Sequence, residues 1–480
     1  MLLSQHGKLL VKAIDSNLRP TSWIPVRLLA SFAQTDSSFF TPRVNKQRLW
    51  EDIHHSCQWG KGERWGKGET DTGMSRLSLS DSDRMARNWF EETTRSLGCT
   101  TCIDAMGNTF ATRKGRQQGP PTCAGSHLDT QPTGGRYDGI LGVCAGIEML
   151  RVLQDEKIES EYPIGVINWT NEEGARFPIS MVASGVWAGR IALERAHAIR
   201  EVGGGKQTMR QELERIGYLG DMEASYKAMP IGAHFELHIE QGPRLEAKNQ
   251  KIGIVQGVQA YRWHTITVKG RDCHTGTTDF ANRSDAMLTA AKMILHSHRL
   301  AAKCASLAST GILTLTPGST NTVPGTVCFS LDIRAGEDGR LMRLEEDLRA
   351  DFGKIARNEA VDDLNDARTI GKGCTVEWSL DAPSEAIKFD KDCIACVTDS
   401  AKEIFGTEFE NRTQEMTSGA GHDSVFTSYR VPTAMIFVPC KDGVSHNPVE
   451  YCSPEDCAYG AQVLLGAVLR YDKLRAEKSK

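Results

Sequence analysis

Apolar and polar positions along the chain repeat with two different periods, and the change from one to the other marks the elements. From Val44 the spacing predicts a helix, and the cluster Ser78 to Asp83 suits the cap of a second helix that carries Met85, Trp89 and Phe90 inward. Thr122 to Ser126 reads as a short buried strand ending at His127. Beyond Asp138, the residues Ile140, Leu141, Val143, Cys144, Ile147, Leu150 and Leu153 recur at helical spacing and predict one apolar stripe. Ile164 to Trp169 is an apolar run of strand length, bounded by Pro163 and by the polar Thr170, Asn171, Glu172 and Glu173. Strand, loop, helix, strand, loop is an α/β order. In open α/β sheets ligands gather at the carboxyl ends of the strands, where both loops fall.

A second unit follows, from 259 to 373. His264, Ile266 and Val268 alternate with Thr265 and Thr267, which predicts a half-buried strand. Ser284 or Asp285 then caps a helix bearing Met287, Leu288, Ala291 and Leu295. Strands are predicted from Gly311 to Leu315 and from Val327 to Ile333, the second with Val327, Phe329, Leu331 and Ile333 on one face and Ser330, Asp332 and Arg334 on the other. A charged helix from Asp338 to Phe352 and a strand from Thr375 to Trp378 complete a β-α-β-β-α-β order, the split βαβ arrangement. The expected organisation is a basic extension over 1–43, a discontinuous catalytic domain over 44–258 and 374–480, and an α+β domain inserted over 259–373.

Length agrees, since 480 residues exceed one ordinary core. A formal net charge of -4 offers no electrostatic footprint for nucleic acid or an anionic membrane, and no apolar run approaches the roughly 20 residues that cross a bilayer. The 14 cysteines are scattered, mostly in apolar segments, and are read as reduced. Cys99 with Cys102 and Cys393 with Cys396 have the spacing of a thiolate zinc site, but without the glycines of a zinc knuckle they are not taken as one. Lys8, Lys12, Arg19, Arg27, Arg43, Lys46 and Arg48 face only Asp15 and Asp36 at the start of the chain. The expected compartment is the cytoplasm, with a mitochondrial presequence as the alternative reading of that basic start.

Candidate chemistry sits in short phrases bracketed by glycine. His127, Asp138, Glu172, Glu173, His238 and His446 each lie in one, and glycine lets a backbone turn sharply where a side chain must point at a metal. Three histidines and two carboxylates, without cysteine, suit hard and borderline divalent cations, and two metals sharing a bridging carboxylate account for five ligands. Glu172 and Glu173 are adjacent, so one is expected as a ligand and the other as a general base.

The phrases carry a resemblance. GSHLDTQPTGGRYDGILGV from Gly125, NWTNEEGARF from Asn168, HIEQGPRLE from His238, GRDCHTGTT from Gly270, STNTVPG from Ser319, DIRA from Asp332, SGAGHDS from Ser418 and SHNPVE from Ser445 resemble, in order, the amidohydrolase branch of the M20 metallopeptidase superfamily. The likeness is nearest to fungal β-ureidopropionases, N-carbamoyl-L-amino acid hydrolases and allantoate amidohydrolases. It implies one metal on His127 and His238, a second on Glu173 and His446, Asp138 bridging, and Glu172 as the base. It also implies a di-metal aminopeptidase-like catalytic domain, a ferredoxin-like insert that serves as lid and dimerisation unit, and a homodimer in which His274 reaches the neighbouring subunit's site. Gln241, Asn321 and Arg334 resemble substrate contacts; the plainer reading of Arg334 is a surface strand residue paired with Asp332. Zinc is the expected metal, with manganese, cobalt and nickel also suited to the ligands. Two positions depart from the pattern: Thr275 follows His274 where alanine is usual, and Asp279 stands where proline is usual.

The expected activity is hydrolysis of N-carbamoyl amino acids, N-carbamoyl-β-alanine first, with allantoate the runner-up substrate. A catalytically silent dimeric binding protein is the competing class, disfavoured by the intact set of six residues.

Overall fold

Four strands that run in the same direction form the centre of the molecule. In the computed structural model, which describes residues 41–364 and 366–480, Ile164–Trp169, Thr122–His127, Ala233–Ile239 and Thr433–Val438 lie side by side and all parallel. His127 is opposite Trp169, and Phe437 opposite His238, so the four carboxyl ends finish at one level. Antiparallel strands Thr109–Arg113 and Thr100–Ile103 extend the sheet on one side. On the other side Thr433–Val438 pairs antiparallel with Ile252–Val258, which carries Ile387–Lys388 and Thr413–Ser418 and completes nine strands. Of the basic positions read at the start of the chain, those before residue 41 lie outside the described residues. Lys46 pairs with Glu455 at 2.6 Å and Arg48 with the buried Glu148 at 2.7 Å, which docks the first helix, Lys46–Ser56, on the core.

Ile140–Asp155 is the helix that the spacing predicts, but it is more than a stripe. Its residues are buried nearly all round, because the sheet lies on one side and the helices Lys46–Ser56 and Pro454–Lys478 on the other. The second helix, Asp81–Ser96, is capped by Ser80 and buries Phe90, with Trp89 partly covered. Met85, expected inward, is 48% exposed; the inward positions are Asp83, Ala86, Arg87 and Phe90, and a buried Asp83–Arg87 pair at 2.8 Å uses the face assigned to it.

The segment from 259 onward forms a separate antiparallel sheet with its own core. Thr326–Ala335 lies between Ala260–Lys269 and the edge strands Leu307–Ser309 and Leu313–Thr316, and Thr375–Ser384 pairs with the far side of Ala260–Lys269. Val327, Phe329, Leu331 and Ile333 are buried under two helices, Ala286–Lys303 and Asp338–Ala356, as the alternation requires. Asp285 caps the first of these helices. Its inward face differs from the expected one: Ala286, Ala290, Met293 and Ala301 are buried, whereas Leu288 and Leu295 are 38% and 46% exposed and Ala291 is exposed. The sheet takes the small side chains, which let the helix approach closely. Leu307–Ser309 is a fifth strand that the pattern does not announce, being only three residues long. Residues Thr41 to Lys480 make one compact unit, so the division is one of sheets and cores.

All 14 cysteines are free, with Cys393 and Cys396 buried in the helix Lys391–Phe405. Among the described residues no helix is long and apolar enough to cross a membrane. Asp279 caps the short turn Phe280–Asn282, its Oδ1 accepting the Asn282 N–H at 3.1 Å, so a side-chain hydrogen bond does there what a proline ring would do by fixing φ.

Leu150, fully buried in the central helix, tests this packing. Leu150→Ala is expected to destabilise the protein by about 2–5 kcal/mol, read as a lower midpoint of chemical denaturation with an unchanged slope.

Candidate metal centre

Each predicted ligand leaves the carboxyl end of one of the four parallel strands. His127 closes its strand and His238 is the penultimate residue of the next. Glu172 and Glu173 follow Trp169 within one turn of loop, and His446 lies on the loop after Val438. Asp138 sits between His127 and the central helix. Gly139, at φ +68°, makes this possible: a Cβ there would lie 2.3 Å from Cε1 of His127.

Asp138 divides its two oxygens between two sets of donors. Its Oδ1 is 3.1 Å from Nε2 of His238 and 3.5 Å from Nε2 of His127; its Oδ2 is 3.5 Å from Nε2 of His446. Nε2 of His446 is in turn 3.4 Å from Oε2 of Glu173. Two ligand groups result, His127 with Asp138 and His238, and Asp138 with Glu173 and His446, each with its ligand atoms within 4.8 Å of one another.

The hydrogen bonds fit a divalent cation. Nδ1 of His127 faces the Asp129 carbonyl at 2.9 Å and Nδ1 of His238 the Ile239 carbonyl at 2.9 Å. A carbonyl only accepts, so both Nδ1 atoms carry the proton and both Nε2 lone pairs point at Asp138. Nε2 of His127 is buried and has no hydrogen-bond partner, which leaves it free for a metal.

Electrostatics point the same way. Burial alone raises a carboxyl, but at Asp138 positive charge on the facing His238 and His127 outweighs it and holds the group well below the usual range, the effect that a cation between them would have on the neutral rings. At Glu172 burial wins, with Asp423 and Glu173 adding to it against the pull of His127, and the carboxyl is pushed well above its ordinary value. Burial and the Asp138 charge do the same at Glu173. Glu172 belongs to neither ligand group, yet its Oε2 is 3.5 Å from Nε2 of His127.

A cleft of ≈ 310 Å³ opens over this cluster, lined by Asp138, Glu172, Glu173, His446, Gln241 and Arg334, among others. Gln241 donates to Oδ2 of Asp138 at 2.7 Å. Arg334 lines the cleft and is also paired with Asp332 at 2.7 Å, with Nη1 donating to the Gly419 carbonyl at 2.8 Å. His274 and Asn321 do not line it. They sit together on a small exposed ribbon, where Cys273–His274 pairs with Thr322–Val323 and the Thr275 N–H donates to the Asn321 carbonyl at 2.9 Å.

Several residues of the site carry no role in the sequence reading. Asp129 accepts the N–H groups of Glu172 and Glu173, both at 3.3 Å, and holds their loop. His422 lines the cleft with its ring 4.5 Å from that of His238. Ser445 and Glu450 lie behind Asp138. All fall inside the recurring phrases; an acid two residues past a ligating histidine is the signal that would have found Asp129.

The description Peptidase family M20/M25/M40 matches residues 123–470. The chain belongs to this family. It is similar to an N-carbamoyl-L-amino-acid amidohydrolase of Rhizobium meliloti, 37% identical over 89% of this chain and 96% of the relative. It is similar to a ureidoglycolate hydrolase of Arabidopsis thaliana, 32% identical over 82% of this chain and 80% of the relative. A crystal structure of an amidase of the hydantoinase/carbamoylase family from Burkholderia multivorans superposes with a TM-score of 0.79 at 38% identity, over 89% of this chain and 98% of that one. This M20 protein is therefore a hydrolase of the amidase branch, in a metal-dependent family, and the two ligand groups are its candidate metal-binding residues.

A carboxyl whose folded pKa is raised stabilises most below its unfolded value, 4.5 for Glu172, and loses that contribution as pH rises through the folded value. Metal-free Glu172→Gln protein is thus expected to melt a few degrees above wild type at about pH 8, the difference vanishing toward pH 4.5. Thermal melts in chelator at both pH values check this.

Proposed function

We propose that the protein hydrolyses the carbamoyl C–N bond of N-carbamoyl amino acids, releasing the free amino acid, carbon dioxide and ammonia. N-carbamoyl-β-alanine is the first candidate, and the N-carbamoyl-L-amino acids, for which several relatives are named, come next. The observation that carries this reading is Glu172, a buried carboxyl that belongs to neither ligand group and stands at the edge of the cluster facing the cleft.

Two divalent ions, zinc in this proposal, would lower the pKa of a water molecule and polarise the scissile carbonyl when bound. Glu172 accepts the proton of the attacking water and returns it to the departing nitrogen, a role that its place in the cleft wall, outside both ligand groups, suits. Arg334 presents a guanidinium to the cleft and captures the substrate carboxylate as a forked pair, with Gln241 as a further substrate contact, while Asn321, on the ribbon that carries His274, would reach substrate in the partner's cleft.

The protein is proposed to act as a homodimer, with the insert, expected over 259–373 and completed by the strand Thr375–Ser384 of its own sheet, as lid and dimerisation domain and the remainder as catalytic domain. Exposed Leu288 and Leu295 and the exposed edge strand Leu313–Thr316 support a covered face on the insert. His274 then serves the partner's site. Its Nδ1 accepts the Gly276 N–H at 3.0 Å and the Thr277 N–H at 3.2 Å, so Nε2 keeps its proton and is the donor an oxyanion needs.

The test is ammonia and amine release by metal-stripped and metal-reloaded protein on N-carbamoyl-β-alanine, N-carbamoyl-L-α-amino acids, allantoate, ureidoglycolate and a dipeptide. Metal-dependent turnover of a carbamoyl amino acid is expected, with Glu172→Gln lowering kcat by about 10²–10⁴-fold. Silence on every substrate with metal bound would remove the hydrolytic reading and leave a dimeric binding protein.

A further inference from the structure

A carboxylate that bridges two metals must be fixed in rotation as well as in place, since a turn about its last bond would misdirect both oxygens. Asp138 is held from two sides by one residue. Oε1 of Glu450 accepts the backbone N–H of Tyr137 at 2.9 Å and of Asp138 at 3.1 Å. Oε2 of Glu450 is 2.9 Å from Oγ of Ser445, which is also 2.9 Å from Oδ2 of Asp138. The backbone of Asp138 is gripped directly, and its side chain through the serine hydroxyl.

Two further observations show that this contact is built in. Gly135 lies against Glu450, and a Cβ there would sit 2.3 Å from both Cβ and Oε1 of Glu450, so the glycine is the space the carboxylate occupies. His446, one residue after Ser445, has φ +53°, a left-handed conformation that a non-glycine residue keeps only when its neighbours over-determine it. Glu450, 3% exposed, closes the loop on which His446 sits. One buried carboxylate thereby ties together the loops that leave two different strands and carry the bridging ligand and an end ligand.

We propose that Glu450, acting through Ser445, is the positioning residue that sets the orientation of Asp138 and of the His446 loop for metal. The inference rests on the metal-site reading above. In Glu450→Gln the amide oxygen can accept both N–H groups while the amide nitrogen donates to Ser445, leaving the serine proton for Asp138.

Metal affinity and stoichiometry, from competition with a chromogenic chelator, are measured on wild type, Ser445→Ala, Glu450→Ala, Glu450→Gln and Gly135→Ala, beside the melting temperature of each metal-free protein. Ser445→Ala, Glu450→Ala and Gly135→Ala are expected to weaken metal binding about 10–100-fold, and Glu450→Gln to stay near wild type. Ser445→Ala is expected to lower the metal-free melting temperature by only a few degrees while the folded protein loses affinity; a merely structural role would lower the melting temperature and leave the affinity of the folded protein at the wild-type value. Should Glu450→Ala fail to fold, Ser445→Ala and Glu450→Gln decide. Wild-type affinity in Ser445→Ala, or an equal loss in Glu450→Gln and Glu450→Ala, would overturn the proposal. A wild-type protein that binds no metal would overturn the metal-site reading itself, and this inference with it.

Discussion

Too many carboxylates are buried in one place. Asp129, Asp138, Glu172, Asp423 and Glu450 are all nearly inaccessible at the carboxyl ends of four neighbouring strands, and the basic side chains that face Asp138 and Glu172 are histidines. Removing such groups from water costs several kcal/mol each unless protons, hydrogen bonds or cations compensate. The rest of the site follows from this constraint. Backbone N–H groups aimed at Asp129 and Glu450, hydroxyls of Ser184 and Ser445, and raised pKa values at Glu172, Glu173 and Asp423 are partial answers that the chain supplies alone. Divalent cations are the complete one.

The same constraint separates two adjacent glutamates. Glu173 is gripped by Gln131 through both of its oxygens, at 3.1 and 2.7 Å, and faces His446. Glu172 keeps company with Asp423 and His127 instead. Neighbours in sequence thus acquire different chemistry from the loops that each side chain meets. Asp129 makes the division possible by fixing both backbone N–H groups.

Much of this was legible in the sequence because a metal site at strand ends needs sharp turns, and glycines at Gly135, Gly139 and Gly242 punctuate the chain where His127, Asp138 and His238 occur. The central strands were legible as well, since Ile164–Trp169 is apolar apart from Asn168 and buried on both faces. Residues that act by hydrogen bonding leave no such trace. Glu450 has no periodicity, and its meaning depends on Ser445 and on a glycine more than 300 positions away. Apolar residues misled where a helix has two apolar faces: Leu288 and Leu295 look like core, but the sheet takes Ala286, Ala290 and Met293. His274 and Asn321 came together on one ribbon, away from the cleft, which spacing alone does not foretell.

The strand Thr433–Val438 lies between Ala233–Ile239 and Ile252–Val258, two strands joined in sequence by one loop that holds the short helix Arg244–Ala247. As the chain emerges during synthesis, those two are available to each other long before the strand that belongs between them exists. Their premature pairing would have to be undone, and contacts so distant in sequence form slowly. The sheet at 260–384, with a core of its own, can consolidate during that wait. It leaves from Val258 and returns at Ile387, and those two residues are partners in the sheet, so its completion closes most of the intervening loop. The last central strand then has a shorter loop to close before it reaches its place between the two earlier strands.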